Sequence, residues 1–195
     1  MAKVQSLSKP FQIALKDLFT WFHSSKVRGL VIGGVALAFL GRPRLTKDID
    51  ALVMVNLDDV ESFLKSGRHY SFVPRISDPI AFAKKNRVLL LKHTRTKLPI
   101  DISLGALSFE EESFQRSKKF YEGNLSIRFP TTEDLIIMKA VAHRPQDLAD
   151  VETLLLVNPR VDLRRIRKWV KEFAKVLEMP ELLQDLERLL KETKK

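Results

Sequence analysis

The sequence contains no cysteine, and this absence excludes several kinds of site at once. Disulfide frameworks, zinc sites built on thiolates and thiol nucleophiles all require cysteine. The four histidines do not show the paired spacing of a histidine-based zinc site either, so we interpret them as structural or solvent-facing residues. Chemistry that depends on a thiol or on such a zinc site is therefore not expected.

Long hydrophobic runs are also missing. The longest apolar stretch, residues 29–41, is shorter than the about 20 residues of a membrane-spanning helix, and it contains a Gly-Gly pair. Near the N-terminus, Lys9, Gln12 and Lys16 interrupt the apolar pattern, which is unlike the continuous apolar core of a signal peptide. The sequence therefore predicts a cytoplasmic protein with no membrane partner.

Acidic residues are in the minority, because 34 Lys and Arg stand against 24 Asp and Glu, which gives a formal net charge of +10. This balance favours an anionic partner such as a nucleic acid, a triphosphate or an acidic protein, and the charge alone does not choose among them. The length of 195 residues leaves room for one compact domain with a helical appendage.

The apolar periodicity predicts an α/β region followed by helices. It indicates helices at residues 9–24, 35–40, 57–65 and 108–118, and strands at residues 30–32, 49–55, 87–93, 98–104 and 125–129. From Thr131 onward the pattern is helical, with a capping-box-like start at Thr131 and Asp134, Pro145 opening a helix, and two further helices near 162–178 and 180–193. We therefore predict an α/β core over residues 1–130 and a helical region over residues 131–195.

Two carboxylates lie close together at the start of the strand predicted over residues 49–55. In Asp48-Ile49-Asp50 the acids are two residues apart, and the period of a strand places both on one face. Neighbouring anions repel each other and are costly to desolvate, so Mg²⁺ or Mn²⁺ is their natural partner. The alternative is a strand start whose two acids only face solvent.

A Gly-Gly pair upstream of these acids favours the metal interpretation. Because glycine has no Cβ, Gly33 and Gly34 allow the backbone to approach a phosphate, and the following helix directs its amide groups at the anion. The pair matches neither a Walker loop nor a dinucleotide-binding fingerprint. Asp101, in the strand predicted over residues 98–104, offers a third acid, and such a cluster can hold one or two metals on a triphosphate.

These features together resemble a known family. Gly33-Gly34, thirteen intervening residues, Asp48-Ile49-Asp50 and a later strand Asp are similar to the signature of the minimal nucleotidyltransferase superfamily, whose best-known fold is that of DNA polymerase beta. The segment Arg44-Leu45-Thr46-Lys47 before the acids resembles the corresponding motif of the branch that includes abortive-infection and other toxin–antitoxin nucleotidyltransferases. The resemblance covers residues of about 25–155 of this chain.

The resemblance implies a fold and a set of roles. The fold would be α/β (α+β), with a small mixed sheet flanked by helices and followed by a helical C-terminal region. Gly33 and Gly34 would hold the phosphates of a nucleoside triphosphate, and Arg44 and Thr46 would lie near the nucleotide. The metal-binding and catalytic acids, which would hold Mg²⁺ (or Mn²⁺), would be Asp48, Asp50 and Asp101.

The same branch carries a helical motif, a Lys followed by Arg-x-x-Asp-x-x-Asp, which Lys139 and Arg144, Asp147 and Asp150 match. The resemblance implies that Lys139 reaches the triphosphate and that the other three form a bracing network or a further nucleotide contact. A plainer interpretation is that Asp147 sits in the first turn of a helix, where acids are favoured, and pairs with Arg144 at the surface.

The sequence thus predicts a Mg²⁺-dependent enzyme that moves a nucleoside monophosphate from a nucleoside triphosphate such as ATP to an acceptor hydroxyl. The acceptor could be RNA, a protein or a small molecule, and a toxin-like role with a cognate antitoxin-like partner follows from the resemblance. Two alternatives stay open, a binding module without turnover and a metal-dependent phosphodiesterase. The basic and aromatic stretch at 164–175 is either an RNA-binding surface or, as we favour, a helix with one packed face.

Overall fold

A mixed five-stranded sheet forms the centre of the computed structural model, which describes residues 7–42, 44–122 and 125–193. The sheet consists of β1 (Gly29–Val31), β2 (Ile49–Val53), β3 (Phe72–Pro74), β4 (Val88–His93) and β5 (Pro99–Leu104). Two further strands are β6 (Lys118–Glu122) and β7 (Leu125–Phe129). The sheet has the order β1-β2-β5-β4-β3, in which β2 and β5 are parallel and the other neighbours antiparallel. β6 and β7 form a separate hairpin.

Helices precede, connect and follow these strands. They are α1 (Lys9–Ser24), α2 (Gly33–Leu40), α3 (Val60–Gly67), α4 (Pro79–Asn86), α5 (Ser108–Arg116), α6 (Thr132–Ala142), α7 (Pro145–Val157), α8 (Leu163–Val176) and α9 (Glu181–Glu192), with short 3-10 helices at Leu57–Asp59 and Arg68–Tyr70. Within the described ranges, no helix is long and apolar enough to cross a membrane.

The two faces of the sheet are covered differently. On one face, alternate residues of β2 and β5 are fully buried, and α1 and α3 close over them, with Trp21 stacked between Phe63 and Phe72. On the other face, Asp50 and Asp101 are only half-buried. Since successive side chains in a strand point to opposite faces, the apolar residues fix the packed face and the acids are left on the accessible one.

Most of the predicted elements are present. The helix predicted at 9–24 is α1, and the strands predicted around residues 30, 50, 90, 100 and 127 are β1, β2, β4, β5 and β7. Thr131 caps α6 by accepting the backbone N–H of Asp134, but the carboxylate of Asp134 binds Arg165 and does not close a capping box. α6 packs on α2 of the predicted core as well as on α7 and α8 of the predicted helical region. The division of the chain into these two parts at residue 130 stays a prediction.

Three elements were not predicted, and one was predicted too long. The sequence gave no indication of β3 or α4, and the helix predicted to reach residue 118 ends at Arg116, so that β6 begins at Lys118. The helix predicted from residue 35 begins earlier, at Gly33. Pro43, in the loop predicted at residues 42–44, lies outside the described residues.

α8 has the packed face that we favoured. Trp169 and Phe173 contact Phe109 of α5 through edge-on rings, and Ile166 and Val170 are fully buried. The aromatic rings of this stretch are therefore partly buried and packed against the core, and its exposed face consists mainly of Lys and Arg side chains.

Candidate active site

Neighbouring strands bring two of the three predicted acids together. Asp50 of β2 and Asp101 of β5 are direct cross-strand partners, so their side chains project from the same face of strands that lie about 4.8 Å apart. Asp48 immediately precedes β2, and its carboxylate accepts a hydrogen bond of 2.9 Å from the Thr46 hydroxyl. All three acids are half-buried.

The surroundings of Asp50 and Asp101 disfavour their ionised forms. Burial, and then the negative charges of Asp48 and Asp101, raise the pKa of Asp50 to about 6. Burial also raises the pKa of Asp101, with Arg75 opposing and Asp48 adding to the shift. A divalent cation would relieve this repulsion, and carboxylate oxygens are the ligands that Mg²⁺ and Mn²⁺ prefer. The donor set therefore fits a magnesium or manganese ion.

Asp48, Asp50 and Asp101 are not arranged as a complete set of ligands for one metal ion. In the part of the chain that the structure describes, no three acidic or histidine side chains are grouped so that they could hold a metal ion. Each acid has a protein contact instead: Asp48 binds Thr46, Asp101 binds Arg75, and Asp50 packs against the start of α2. A bound metal would have to draw these side chains together.

The first turn of α2 lies directly against the acids. A Cβ on Gly33, which has φ +60°, would stand 1.9 Å from Oδ2 of Asp50, and one on Gly34 would stand 2.7 Å from Oγ1 of Thr46. Only glycine therefore allows the helix to begin so close to β2. Amide groups in the first turn of a helix have no intrahelical acceptor and attract anions. The two glycines thus place an anion-binding helix end beside a carboxylate pair.

A second group of charges links α6, α7 and the segment before β2. Lys139 donates hydrogen bonds of 3.1 Å to Asp147 and 2.6 Å to Asp150, and all three residues are at least 96% buried. Arg44 donates to Asp150 at 2.9 Å, and Arg144 donates to Asp147 at 2.5 Å. We call these five residues the charge network. It ties the segment that carries Thr46 and Asp48 to the helical region.

The members of the charge network differ in their access to a ligand. Lys139 is enclosed by its two acids, whereas the side chain of Arg144 is 76% exposed. The hydrogen bond to Asp147 raises the pKa of Arg144, and the charges of Asp50 and Asp48 raise it further. Burial acts to raise the pKa of Asp147, but Arg144 and Lys139 hold it below its usual value. Arg144 is therefore the most exposed cation of the network, and it interacts electrostatically with Asp50 and Asp48.

The sequence gave no indication of Arg75. This residue follows β3, and its guanidinium is paired with the carboxylate of Asp101. Predicting the pair would have required recognising β3 as a strand that pairs with β4, which in turn pairs with β5.

A cavity of about 230 Å³ opens on the same face of the sheet as the acids. Leu52 and Ser103, which form its floor with Ile32, are the residues two positions beyond Asp50 and Asp101 in their strands. Phe109, Met138 and Phe173 of α5, α6 and α8 close it from the other side. The helical region thus forms one wall of an apolar cavity next to the acids.

Comparison with known proteins identifies the family. Residues 14–190 match the model of a family described as "nucleotidyltransferase of unknown function (DUF6036)". The chain belongs to this family. The assignment confirms the predicted membership of the nucleotidyltransferase superfamily, and the toxin–antitoxin branch stays a prediction. No curated protein matches the sequence.

Solved structures of nucleotidyltransferases share the fold of this family member. An antigenic nucleotidyltransferase-like protein from Paracoccidioides brasiliensis is 13% identical, with 92% of this chain and 93% of that chain aligned and a TM-score of 0.57. The antibiotic-resistance factor ANT(2'')-Ia is also 13% identical, with 89% and 97% covered and a TM-score of 0.60. Its complex with adenylyl-2''-tobramycin gives a TM-score of 0.56 over 86% and 99% of the two chains. These similarities confirm the predicted mixed α/β fold.

Proposed function

We propose that this protein transfers a nucleoside monophosphate from a nucleoside triphosphate to an acceptor hydroxyl, in a reaction that depends on Mg²⁺ (or Mn²⁺). The observation that carries the proposal is the contact between Asp50 and the first turn of α2. It places an anion-binding helix end and a set of mutually repelling carboxylates side by side, as a metal-bound triphosphate requires.

In this proposal Asp48, Asp50 and Asp101 hold the metal, which when bound would neutralise charge on the phosphates and on the attacking oxygen. The amide groups of Gly33 and Gly34 hold the terminal phosphates, and Thr46 keeps Asp48 oriented through its hydrogen bond. The exposed guanidinium of Arg144 adds a bidentate phosphate contact at the edge of the site.

During transfer the acceptor oxygen bonds to the α-phosphorus, and the bond from that phosphorus to the bridging oxygen of the β-phosphate breaks. Pyrophosphate leaves with the electrons of that bond. Asp101 orients the acceptor hydroxyl and accepts its proton in this proposal.

The charge network supports the nucleotide site in this proposal. Arg44 is 30% exposed and approaches the nucleotide from the segment that also carries Thr46, while its hydrogen bond to Asp150 anchors that segment. Lys139 and Asp147 are buried, and we propose that they act on the triphosphate by holding Arg44 and Arg144 in place. A nucleotide contact by Lys139 itself would require it to leave its two acids.

The acceptor remains the open part of the proposal. ANT(2'')-Ia, which has the same fold, has been solved with adenylyl-2''-tobramycin, and this favours a small hydroxylated molecule. The net charge of +10 favours RNA or an acidic protein instead. The toxin-like role, with a cognate antitoxin-like partner, rests on the sequence resemblance alone.

One experiment separates transfer from the alternatives. The protein is incubated with Mg²⁺, a total cell extract and each nucleoside triphosphate labelled at either the α- or the γ-phosphate. Transfer moves the α-label to an acceptor and the γ-label into pyrophosphate, and Asp50→Asn abolishes both. A binding module would give neither signal, and a phosphodiesterase would cleave polynucleotides without consuming the triphosphate. Either result contradicts the proposal.

A further inference from the structure

Arg75 lies in a row of residues that crosses the sheet to the acids. Its backbone N–H donates to the carbonyl of Leu90 at 3.0 Å, which continues the β3–β4 register by one position. Leu90 is the cross-strand partner of Asp101, and Asp101 is the partner of Asp50. Residues opposite one another in a sheet project from the same face, so all four side chains belong to the accessible face.

The side chain of Arg75 spans the intervening strand. Two strand spacings amount to about 10 Å, so the guanidinium must extend over Leu90 to reach the carboxylate of Asp101. The two paired side chains are 34% and 33% exposed, so the ion pair is open to a ligand on this face. The guanidinium thus meets Asp101 from the side of β3, whereas β2 with Asp50 lies on the other side of β5.

Asp101 has one cationic partner in the structure, Arg75, and the proposed function gives it a second, the divalent cation. It is a member of the acid set that a metal would bridge, yet one of its oxygens is held by a guanidinium, and no metal-ready group of three acids is present among the described residues. We propose that Arg75 is a positioning residue that competes with the divalent cation for Asp101, so that the metal site closes only when Asp101 exchanges Arg75 for the metal. This inference rests on the proposed function, because it takes Asp101 as a metal ligand.

The competition has a measurable consequence for metal binding without nucleotide. Arg75→Gln removes the competing charge and should tighten Mn²⁺ binding about threefold or more, the range expected for loss of a partly exposed ion pair. Arg75→Lys keeps the charge and should bind Mn²⁺ nearly as weakly as the parent. Titration of Mn²⁺ into each protein, with free Mn²⁺ followed by its electron paramagnetic resonance signal, gives the affinities directly.

Two controls separate this role from general effects. Arg167 of α8 forms another ion pair, with Glu187 of α9. Arg167→Gln removes one positive charge from that pair and should leave the Mn²⁺ affinity unchanged. In an Asp101→Asn background, Arg75→Gln should no longer tighten binding, because the carboxylate for which the cations compete is gone. Urea unfolding of every variant confirms that each one is folded.

The outcomes distinguish this inference from the proposed function. If Asp50→Asn abolishes Mn²⁺ binding and Arg75→Gln does not tighten it, the inference is wrong and the metal site stands. An equal gain in Arg167→Gln, or a gain that persists without Asp101, also overturns it. If the parent and Asp50→Asn bind Mn²⁺–nucleotide identically, the proposed metal site itself is wrong.

Discussion

Asp50 is the residue at which stability and the proposed chemistry conflict most. Its carboxylate is half-buried, lies next to two other acids and has a pKa raised from 3.8 to about 6, chiefly by burial. In a folded protein such a group binds a proton more readily than in the unfolded chain. Its contribution to stability is therefore favourable at low pH and is lost as the pH rises through about 6.

Asp50→Asn should consequently stabilise the metal-free protein at neutral pH. We expect a gain in the free energy of unfolding on the order of 3 kcal/mol at pH 7.5, because the shift in pKa sets this scale, and little gain near pH 4. Urea unfolding of parent and variant at the two pH values measures the difference. Glu152→Gln, which removes an exposed acid from α7, serves as the control and should show no such dependence. A variant that is less stable than the parent at pH 7.5 would contradict the claim that burial and the neighbouring acids destabilise the ionised Asp50 carboxylate.

Gly33 is the second residue whose identity the site dictates. Gly33→Ala adds a methyl group where Oδ2 of Asp50 would be 1.9 Å away and requires φ +60°, which side chains disfavour. We expect a loss of roughly 1 to 3 kcal/mol in unfolding free energy together with a loss of nucleotide affinity. Gly41→Ala, whose added methyl group would have neighbours at 3.1 Å or more, should affect nucleotide affinity far less. Equal nucleotide affinity in the parent and Gly33→Ala would show that the N-terminus of α2 is not part of the nucleotide site.

The sequence predicted the acids better than their partners. The period of a strand was sufficient to place Asp48 and Asp50 on one face, and Asp101 was predicted to lie in a strand that could pair beside them. The structure makes Asp101 the cross-strand partner of Asp50. Arg75 could not be predicted, since its position depends on the register of two further strand pairs. The same holds for the packing of Gly33 on Asp50, which depends on how closely α2 approaches β2.

At the scale of elements, the charge network decides how α6 and α7 hold the segment before β2. Lys139 is the buried centre of this network, with Asp147 and Asp150 as its partners and Arg44 and Arg144 at its two ends. Buried ion pairs add little net stability when intact, but removing one partner leaves uncompensated charge in the interior. Loss of Lys139 should thus affect the position of both helices.

Lys139→Met should lower the unfolding free energy by roughly 1 to 3 kcal/mol, because the two buried carboxylates lose the hydrogen bonds of their shared cation but keep those of Arg44 and Arg144. Chemical denaturation of the metal-free protein measures the loss. Lys175→Met, at an exposed position of α8, is the matched control and should change stability little. A Lys139→Met variant with parental stability and weakened nucleotide affinity would show instead that this lysine serves the triphosphate directly.

The elements that the sequence failed to predict share a physical cause. β3 has three residues and gains its structure from pairing with β4, and α4 buries fully only Ala83, so neither leaves a periodic apolar pattern. β6 follows α5 after a single residue and obtains its partner from β7. By contrast, α1 and α8 each bury a regular apolar stripe and were predicted to within a few residues.

At the scale of the whole molecule, the fold leaves one face of the sheet partly uncovered. α1 and α3 cover the opposite face, while α5, α6 and α8 cover only the part of the accessible face beyond the acids. The helical region therefore has two roles in our proposal, since it supplies the charge network and closes the apolar cavity next to the acids. The sequence predicted that this region is helical but not how it packs on the sheet, because that depends on contacts between distant residues.

The most direct test of a metal-dependent nucleotide site is calorimetric titration of Mg²⁺–nucleoside triphosphate into the parent, Asp48→Asn and Asp50→Asn. It needs no knowledge of the acceptor. We predict saturable binding by the parent and an at least tenfold loss of affinity in both variants, since each removes a charged metal ligand. Binding by the two variants that equals binding by the parent would contradict the assignment of these acids to the metal and, with it, the proposed site.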